Sequence, residues 1–459
     1  MTRSLLIFIL LVSPSVAQDW PQFRGTNAAG VADEYPLVAS WDVKAKTNIR
    51  WKAKIPGMGH ACPVVSGNQV FIVTAQGAKS EGLKIGLYGD PKSVKNNPAQ
   101  NWFLISIHKF TGEELWRFPL RAGVPKVKRH AKSTHANSTP ATDGYHVVVL
   151  LGSGDLFCFN VCGELLWKKQ LGVLDAGWFR VPADQWGYGS SPIIYRDRVI
   201  VQCDIQKNSF LAAYDLADGR QLWRTPRTDV PTWSTPTIFT SHGRTEVVVN
   251  GFKHAGGYDP MTGKSFWQLN GGGDIPVPTP VVAHGLVLLS SAHGSARPLL
   301  AIKGGATGVI QLAKASGSQH VAWYNRRSGV YMPTPIVYGD LLYTCRINGL
   351  LACYEFKTGK VKYRKRLGRG GASFTSSPVA GDGKVFFTAE NGSVYVLQAG
   401  PTFKLLATNQ MQEICMSSPA ISDGMLLMRT KDHVVAIGSP PPPTSPRRRF
   451  RLLRFLLRR

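Results

Sequence analysis

A short motif recurs eight times along this chain: a small or hydroxyl-bearing residue, then proline, then an apolar run. Clear copies are Ser190-Ser191-Pro192-Ile193 and Ser376-Ser377-Pro378-Val379. The anchoring prolines are Pro63, Pro140, Pro192, Pro236, Pro280, Pro335, Pro378 and Pro419. Most units are in the low forties of residues, and self-similarity at a fixed period is the signature of a repeat architecture.

Each copy continues in the same way. A turn containing Gly or Asp, such as Asp382-Gly383, follows the anchor, and two further apolar runs come after it. Several copies then pass through a Thr-Gly or Asp-Gly turn into a strand that carries Trp, as in Asp218-Gly219 followed by Trp223. Four short strands joined by tight glycine turns make one propeller blade. The sequence therefore predicts an all-β protein, an eight-bladed β-propeller of four-stranded antiparallel blades.

The last copy contains three strands and then the pattern ends. Residues 48–52, with Trp51, look like a fourth strand that has no first three of its own. If this N-terminal strand completes the last blade, the ring closes and leaves no sheet edge free at the junction. We expect this closure to define the domain.

The remaining segments lie outside the predicted ring, which spans residues 47–438. Arg3 and the apolar residues 5–12, followed by Ser15-Val16-Ala17, are typical of a signal peptide over residues 1–17, since the run is too short to span a membrane. Residues 18–46 form an N-terminal extension, residues 79–101 an insertion in the first blade, and residues 439–446 a Pro-rich linker. The Arg-rich tail, 447–459, has helical spacing of its apolar residues; a membrane-surface helix and a tail without fixed structure both remain open.

Composition limits the cofactors and partners. The formal net charge is +26, which is compatible with anionic neighbours such as polysaccharide or lipid; the alternative, slightly favoured, is that the charge only keeps an exported protein soluble. The seven Cys residues show no zinc-binding pattern and no CxxCH haem site, and most lie in apolar strands as small buried side chains. We expect no metal site from these residues and no specific nucleic-acid partner.

Four segments carry a family resemblance: residues 19–25 (DWPQFRG), 186–192 (WGYGSSP), 230–236 (VPTWSTP) and 250–254 (NGFKH). With the repeats, they make the chain resemble the pyrroloquinoline-quinone-like (PQQ-like) β-propeller family, in particular its exported members of the planctomycete type. The resemblance implies two different functions. Quinoprotein alcohol dehydrogenases hold PQQ and calcium over the axis with an Asp base and a disulfide between adjacent cysteines, and this chain has no adjacent Cys pair. The related propeller lipoprotein of the outer-membrane barrel assembly machinery is a non-enzymatic scaffold, but here position 18 is Gln rather than a lipidated Cys.

The topology predicts where a ligand would bind. The residues before each anchor, and those between the second and third strands, should share one face around the axis, where a rigid fold presents loops. The candidates are His60, His135, Trp186, Trp233, Lys253, His254, His293 and Arg346. Aromatic rings and cations in a funnel suit a planar anion, such as a quinone carboxylate or a sugar acid. The alternative is that Trp186 and Trp233 plug the axis while the cations are solvated.

Catalytic residues are not evident. Asp204 with Lys207, or His254 with Glu390, could form an acid–base pair if the fold brought them together. We therefore expect a binding or scaffold module, exported to the periplasm or envelope, not lipid-anchored, monomeric, and holding an envelope protein. The alternative function is a quinone-dependent oxidoreductase with PQQ and calcium, acting on a substrate at the axial funnel.

Overall fold

The computed structural model describes residues 18–77, 82–87, 90, 92–368 and 370–440. The predicted signal peptide and Arg-rich tail lie outside the described residues, as does most of the linker. Within the described residues there are thirty-three strands and two short 3-10 helices, Thr26–Ala28 and Leu312–Gly317. Among them, no helix is both long enough and apolar enough to cross a bilayer.

The strands of the first four blades are β2 (Val64–Ser66), β3 (Gln69–Gly77), β4 (Gln100–His108), β5 (Glu114–Gly123), β6 (Ala141–Thr142), β7 (His146–Leu150), β8 (Asp155–Asn160), β9 (Leu165–Gln170), β10 (Ile193–Tyr195), β11 (Arg198–Cys203), β12 (Phe210–Asp215), β13 (Gln221–Pro226), β14 (Thr237–Ser241), β15 (Arg244–Val249), β16 (His254–Tyr258) and β17 (Ser265–Asn270). Those of the last four, with β1 completing the eighth, are β18 (Val281–Ala283), β19 (Leu286–Ser290), β20 (Leu299–Lys303), β21 (Gly308–Gln311), β22 (Val321–Asn325), β23 (Ile336–Tyr338), β24 (Leu341–Cys345), β25 (Leu350–Glu355), β26 (Val361–Arg366), β27 (Val379–Gly381), β28 (Lys384–Thr388), β29 (Ser393–Gln398), β30 (Leu405–Gln410), β31 (Ala420–Ser422), β32 (Met425–Arg429), β33 (His433–Ile437) and β1 (Ile49–Lys54).

The predicted ring closure is confirmed. The described strands form eight sheets, and the eighth has the order β1-β33-β32-β31. β1 pairs antiparallel with β33, with Trp51 opposite Ala436 and Lys54 opposite His433. One N-terminal strand therefore completes the blade that the C-terminal three begin, and the all-β, eight-bladed propeller is the observed fold.

Burial decreases from the axis outwards, which explains the sequence pattern of each blade. β32 is buried at every position, whereas β26 is exposed at five of its six residues. Inner strands pack between two neighbouring sheets, so they are apolar on both faces. Each outer strand has one solvent-exposed edge, and these strands carry the Lys and Arg residues of the repeat.

Tryptophan side chains join each blade to the next. An indole on an outer strand donates a hydrogen bond to a carbonyl in the turn between the third and fourth strands of the following blade. The pairs are Trp51 with Lys109, Trp116 with Val161, Trp167 with Leu216, Trp223 with Pro260 and Trp323 with Phe356, at 2.7–3.2 Å. The same ring packs on a glycine of that turn, for example Trp167 on Gly219. These contacts explain why the spacing from Gly to Trp is repeated in the sequence.

Blade four carries an addition that the repeat pattern did not predict. β21, from a long connection in blade five, pairs in parallel with the outer strand β17, with Trp267 opposite Gly308 and Leu269 opposite Ile310. Here Trp267 donates to the Glu246 carboxylate at 2.6 Å instead of to a neighbouring turn. The extra strand covers the outer edge of this blade.

The N-terminal extension crosses one face of the ring. We call this the base face, because it carries the turns between the first and second strands; the opposite face, with the loops before the anchoring prolines, is the mouth face. Asp19 accepts from the backbone N–H of Gly67 in blade one, and Asp382 in blade seven accepts from that of Leu37. The extension therefore ties several blades together at the base.

Candidate functional site

A cavity of about 420 Å³ lies on the propeller axis and is lined by residues of the blades' inner loops. Two rings of side chains, set by the repeat, supply much of its wall. The residues directly before the anchoring prolines form the first ring: Cys62, Thr139, Ser191, Thr235, Thr279, Thr334, Ser377 and Ser418. All of these except Thr279 line the cavity.

The first ring is held by hydrogen bonds between blades. The backbone N–H of each member from Cys62 to Ser377 donates to the side-chain hydroxyl of the next, for example Ser191 to Thr235 at 3.1 Å and Ser377 to Ser418 at 2.9 Å. Seven such bonds, from Cys62 N–H through to Ser418, run around the axis. The hydroxyl-proline motif is therefore a structural belt, which we call the hydroxyl belt.

Cys62 takes the eighth place in this belt, where the other blades have Ser or Thr. Its thiol is fully buried, and burial raises its pKa. All seven Cys are free thiols; Cys162 is exposed and the other six are buried. The interpretation of most cysteines as small buried side chains agrees with this arrangement.

The second ring consists of the residues three positions before each anchor, and all eight line the cavity. They are His60, Asn137, Gly189, Trp233, Val277, Met332, Thr375 and Met416. Gly189 leaves room for a larger neighbour, since a Cβ at this position would lie 3.1 Å from Trp233. The ring is thus mixed, with apolar, aromatic and uncharged polar members.

Three indoles form an aromatic wall on one side of the cavity. Trp186 lies between Trp178 and Trp233: the Trp178 and Trp186 rings are nearly parallel, at 12° and 6.4 Å, and Trp186 and Trp233 are 5.5 Å apart. The Trp233 indole donates to the Gly187 carbonyl at 2.7 Å, which fixes its orientation. Trp186 and Trp233 therefore stand at the side of an open cavity rather than filling it.

A buried ion pair spans the mouth. Lys132 Nζ lies 2.7 Å from Glu390 Oε1, and both side chains are almost fully buried. Glu390 also accepts from Ser373 and Thr375 and, at 2.9 Å, from the backbone N–H of Gly86 in the first-blade insertion. Burial lowers the pKa of Lys132, and the hydrogen bond to Glu390 opposes this shift. The insertion thus reaches from blade one to blade seven across the mouth face.

Three histidines line the cavity, His60, His130 and His293, and two of them are held in different ways. His60 shares a hydrogen bond of 2.9 Å with the Lys132 carbonyl, and burial lowers its pKa to about 4, so it is neutral at pH 7. His293 Nδ1 lies 2.5 Å from Asp274, whose other carboxylate oxygen accepts from Arg180 at 3.2 Å. Asp274 therefore fixes the ring of His293, leaving Nε2 on the cavity side.

The N-terminal extension closes the base of the axis. Arg24 is buried and donates to the carbonyls of the anchoring Pro335 and Pro378, both at 3.0 Å, and to Ala28 at 3.1 Å. Its neighbour Phe23 lines the cavity. The cavity thus has a floor made by the chain's own extension.

Of the eight predicted site residues, the structure brings His60, Trp186, Trp233 and His293 together on the axial cavity. The other four lie elsewhere. His135 bonds Asn97, Arg346 donates to the Arg327 carbonyl, and Lys253 and His254 line a separate shallow groove on blade four. The funnel is consequently much less cationic than the sequence indicated.

Neither proposed acid–base pair forms. Asp204 binds Arg227 at 2.7 Å instead of Lys207, inside a fully buried network with Asp229. Glu390 binds Lys132 instead of His254.

Lys132, Trp178 and Asp274 were not identified as site residues from the sequence. The second ring, in contrast, was predictable, because its members lie three positions before each anchoring proline.

The axial residues do not fit the quinone and calcium that the resemblance implied. In the described part of the chain, no three His, Cys, Asp or Glu side chains are grouped so that they could hold a metal ion. Glu390, which binds Lys132 at the mouth, already accepts from four groups, which uses its lone pairs. Asp90 is the one Asp or Glu in the described lining. PQQ carries three carboxylates, and Lys132, the one Lys or Arg in the described lining, is already neutralised by Glu390.

Comparisons with known proteins agree with this fold. The sequence profile described as outer membrane protein assembly factor BamB matches residues 104–364. The protein of that name from Burkholderia pseudomallei (strain K96243) is 32% identical over 107 residues, which is 23% of this chain and 26% of that protein. The chain thus matches about a quarter of the length of its curated relative.

Solved structures give the same result over more of the chain. BamB from Moraxella catarrhalis superposes with a TM-score of 0.54 at 13% identity, covering 80% of this chain and 100% of the other. Quinohemoprotein alcohol dehydrogenase from Comamonas testosteroni superposes with a TM-score of 0.61 at 11% sequence identity. The match covers 93% of this chain and 82% of the other. At these identities the likeness is one of fold.

The fold, with the hydroxyl belt around its axis, defines a β-propeller of PQQ-like repeats. Because the family profile covers more than half of the sequence, this chain belongs to the BamB family of PQQ-like repeat proteins.

Proposed function

We propose that this protein is an exported binding module of the cell envelope that holds another envelope protein. The observation that carries the proposal is that the lysine of the cavity lining and two carboxylates beside the cavity are already paired internally. Lys132 is satisfied by Glu390, and Asp274 by His293 and Arg180. A site whose charged groups are committed to structure favours a scaffold over a centre of acid–base or metal chemistry.

The family relationship supports the same proposal. The related proteins are named as assembly factors for outer membrane proteins, so a protein partner in the envelope is the expectation that transfers most directly. The predicted signal peptide supports the same proposal, because export would bring the chain to the compartment where such a partner is met.

Exposed apolar side chains suggest where the partner binds. Of the large hydrophobic residues that are exposed in the described chain, ten belong to blades one and two and their connections: Ile85, Leu87, Phe110, Leu115, Val124, Tyr145, Leu165, Leu166, Val173 and Val181. Such residues concentrated on adjacent elements are a common mark of a protein interface. The outer edges of blades one and two are therefore the proposed contact surface.

A pair of equivalent positions allows a controlled test. Leu165 in β9 and Val361 in β26 both open an outer strand, and their exposures are 41% and 39%. A photo-crosslinking amino acid at Leu165 in the native host should yield one discrete adduct with an envelope protein, whereas the same probe at Val361 should yield none. Equal adducts at both positions, or none at Leu165, would contradict this surface.

A further inference from the structure

The hydroxyl belt offers hydrogen-bond donors that the protein itself does not use. Ser191, Thr235, Thr334 and Ser377 line the cavity, and each accepts one backbone N–H from the preceding blade. Within the described residues no acceptor is found for their own O–H protons. A hydroxyl keeps its donor capacity after accepting a bond, and burying it against a purely apolar ligand would be costly. The hydroxyl belt therefore selects a ligand with oxygen acceptors.

The charge balance of the lining argues against an anionic ligand. Lys132 is paired with Glu390, His60 is neutral at pH 7, and the remaining charged side chain of the described lining, Asp90, is a carboxylate. An anion entering here would lose its hydration without gaining an uncompensated cation among the described lining residues. The expectation of a quinone carboxylate or sugar acid, drawn from sequence, rested on cations that the fold has placed elsewhere or neutralised.

The walls are suited to a ligand that has apolar faces as well as hydroxyl groups. Trp178, Trp186 and Trp233 supply flat apolar surface, and such rings pack against the C–H face of a pyranose. His293 is 40% exposed, with Nδ1 bound to Asp274, so Nε2 can bond a ligand hydroxyl. The volume of about 420 Å³ is in the usual range for small-molecule sites.

From these three features we propose that the axial cavity binds a short, neutral oligosaccharide. The belt hydroxyls donate to its oxygens, the indoles stack on its rings, and His293 bonds one of its hydroxyl groups. This activity goes beyond the proposed protein-binding role and uses a different surface, so either one can fail without the other.

The test is calorimetric titration of the full mature chain with N,N′-diacetylchitobiose, cellobiose and maltose, and with digalacturonate as an acidic disaccharide of similar size. We expect saturable binding of at least one neutral sugar and at least tenfold weaker binding of digalacturonate. His293→Asn should lower the affinity for the neutral sugar at least tenfold. His284→Asn is the matched control, because His284 lies on a base-face turn with positive φ, which Asn tolerates, and should leave affinity unchanged.

Trp178→Ala is the second variant, in case His293→Asn perturbs folding, and thermal melting checks that each protein is folded. The Trp178 indole N–H has no acceptor in the described chain, so its removal breaks no hydrogen bond there. We expect a tenfold or greater loss of affinity. No saturable binding of any of the three neutral sugars at millimolar concentration, tighter binding of digalacturonate, or unchanged affinity in folded Trp178→Ala protein would each overturn the proposal.

Discussion

Individual charged side chains in this propeller are placed by contacts between residues far apart in sequence. Lys132 and Glu390 are separated by 258 positions, and both are buried. Removing one partner of a buried pair leaves the other charge uncompensated, which is more damaging than losing an exposed pair. The energetic importance of such residues follows from the fold, not from their local pattern.

Glu390→Gln should therefore destabilise the protein by about 3 to 5 kcal/mol, measured as the free energy of unfolding in urea. The matched control is Glu355→Gln, which breaks the exposed pair with Lys362 and should change stability far less, because exposed ion pairs contribute little. Similar losses in the two variants would show that the Lys132–Glu390 pair is not buried as described.

Buried histidines should make stability depend on pH. Burial lowers the pKa values of His60, His135 and His254 to about 4 from the ordinary 6.5. Between these values the unfolded chain binds protons that the folded chain does not, so stability falls as pH falls from about 6.5 to 4, by up to about 1.4 kcal/mol per pH unit for each histidine. Urea unfolding at pH 7 and pH 5 measures this slope, and His60→Gln should reduce it; stability that is equal at both pH values would contradict the assignment.

The sequence predicted some site residues and not others for a clear reason. His60 and Trp233 lie three residues before an anchor, so the repeat fixes their position on the axis. Lys132 and Trp178 come from irregular loops, and Lys253 and Arg346 from turns whose direction the repeat does not determine. Local pattern therefore found the ring positions, whereas long-range pairing decided which charges remain available.

At the level of the blade, packing between neighbours depends on glycine turns beneath tryptophan rings. Gly219 has φ +72°, and a Cβ there would lie 2.7 Å from the Trp167 ring. The strand order was predictable because each repeat carries its own turn signals. β21 was not, because its short segment has no repeat pattern and gains its place only by pairing with β17.

Gly219→Ala should destabilise the protein by roughly 3 kcal/mol, since it adds a steric clash to the backbone strain of positive φ. Gly243→Ala is the control for backbone strain alone, because Gly243 has φ +74° and no atom lies within 4 Å of the added Cβ. This substitution should lower the free energy of unfolding by about 1 kcal/mol. Thermal unfolding of the two variants measures both losses of stability. Equal losses would show that the clash with the Trp167 ring does not contribute.

For the whole molecule, the two ends of the fold are joined in one blade, and the extension then closes the base. The closure was predictable by counting strands, but the floor made by Phe23 and Arg24 was not, because residues 18–46 contain no repeat. Ring closure hides the edge of β33, which would otherwise be open to pairing with other chains.

A chain that begins at residue 55 lacks both β1 and the extension and should aggregate or unfold without a sharp transition. A chain that begins at residue 47 keeps β1 and should fold, with lower thermal stability because the base contacts of Asp19, Arg24 and Leu37 are gone. Calorimetry of the two truncations distinguishes the contributions. Cooperative unfolding of the shorter chain at the full-length temperature would refute closure as the main constraint.

The central claim is that the propeller axis is a binding cavity whose one described lysine is already paired with Glu390, and not a quinone centre. Its most direct test is titration of the purified mature protein with PQQ and calcium, followed by absorbance of the protein after gel filtration. We predict no retained quinone at micromolar concentration and no dye reduction with alcohol substrates. Stoichiometric retention of the quinone with calcium-dependent dye reduction would contradict the claim.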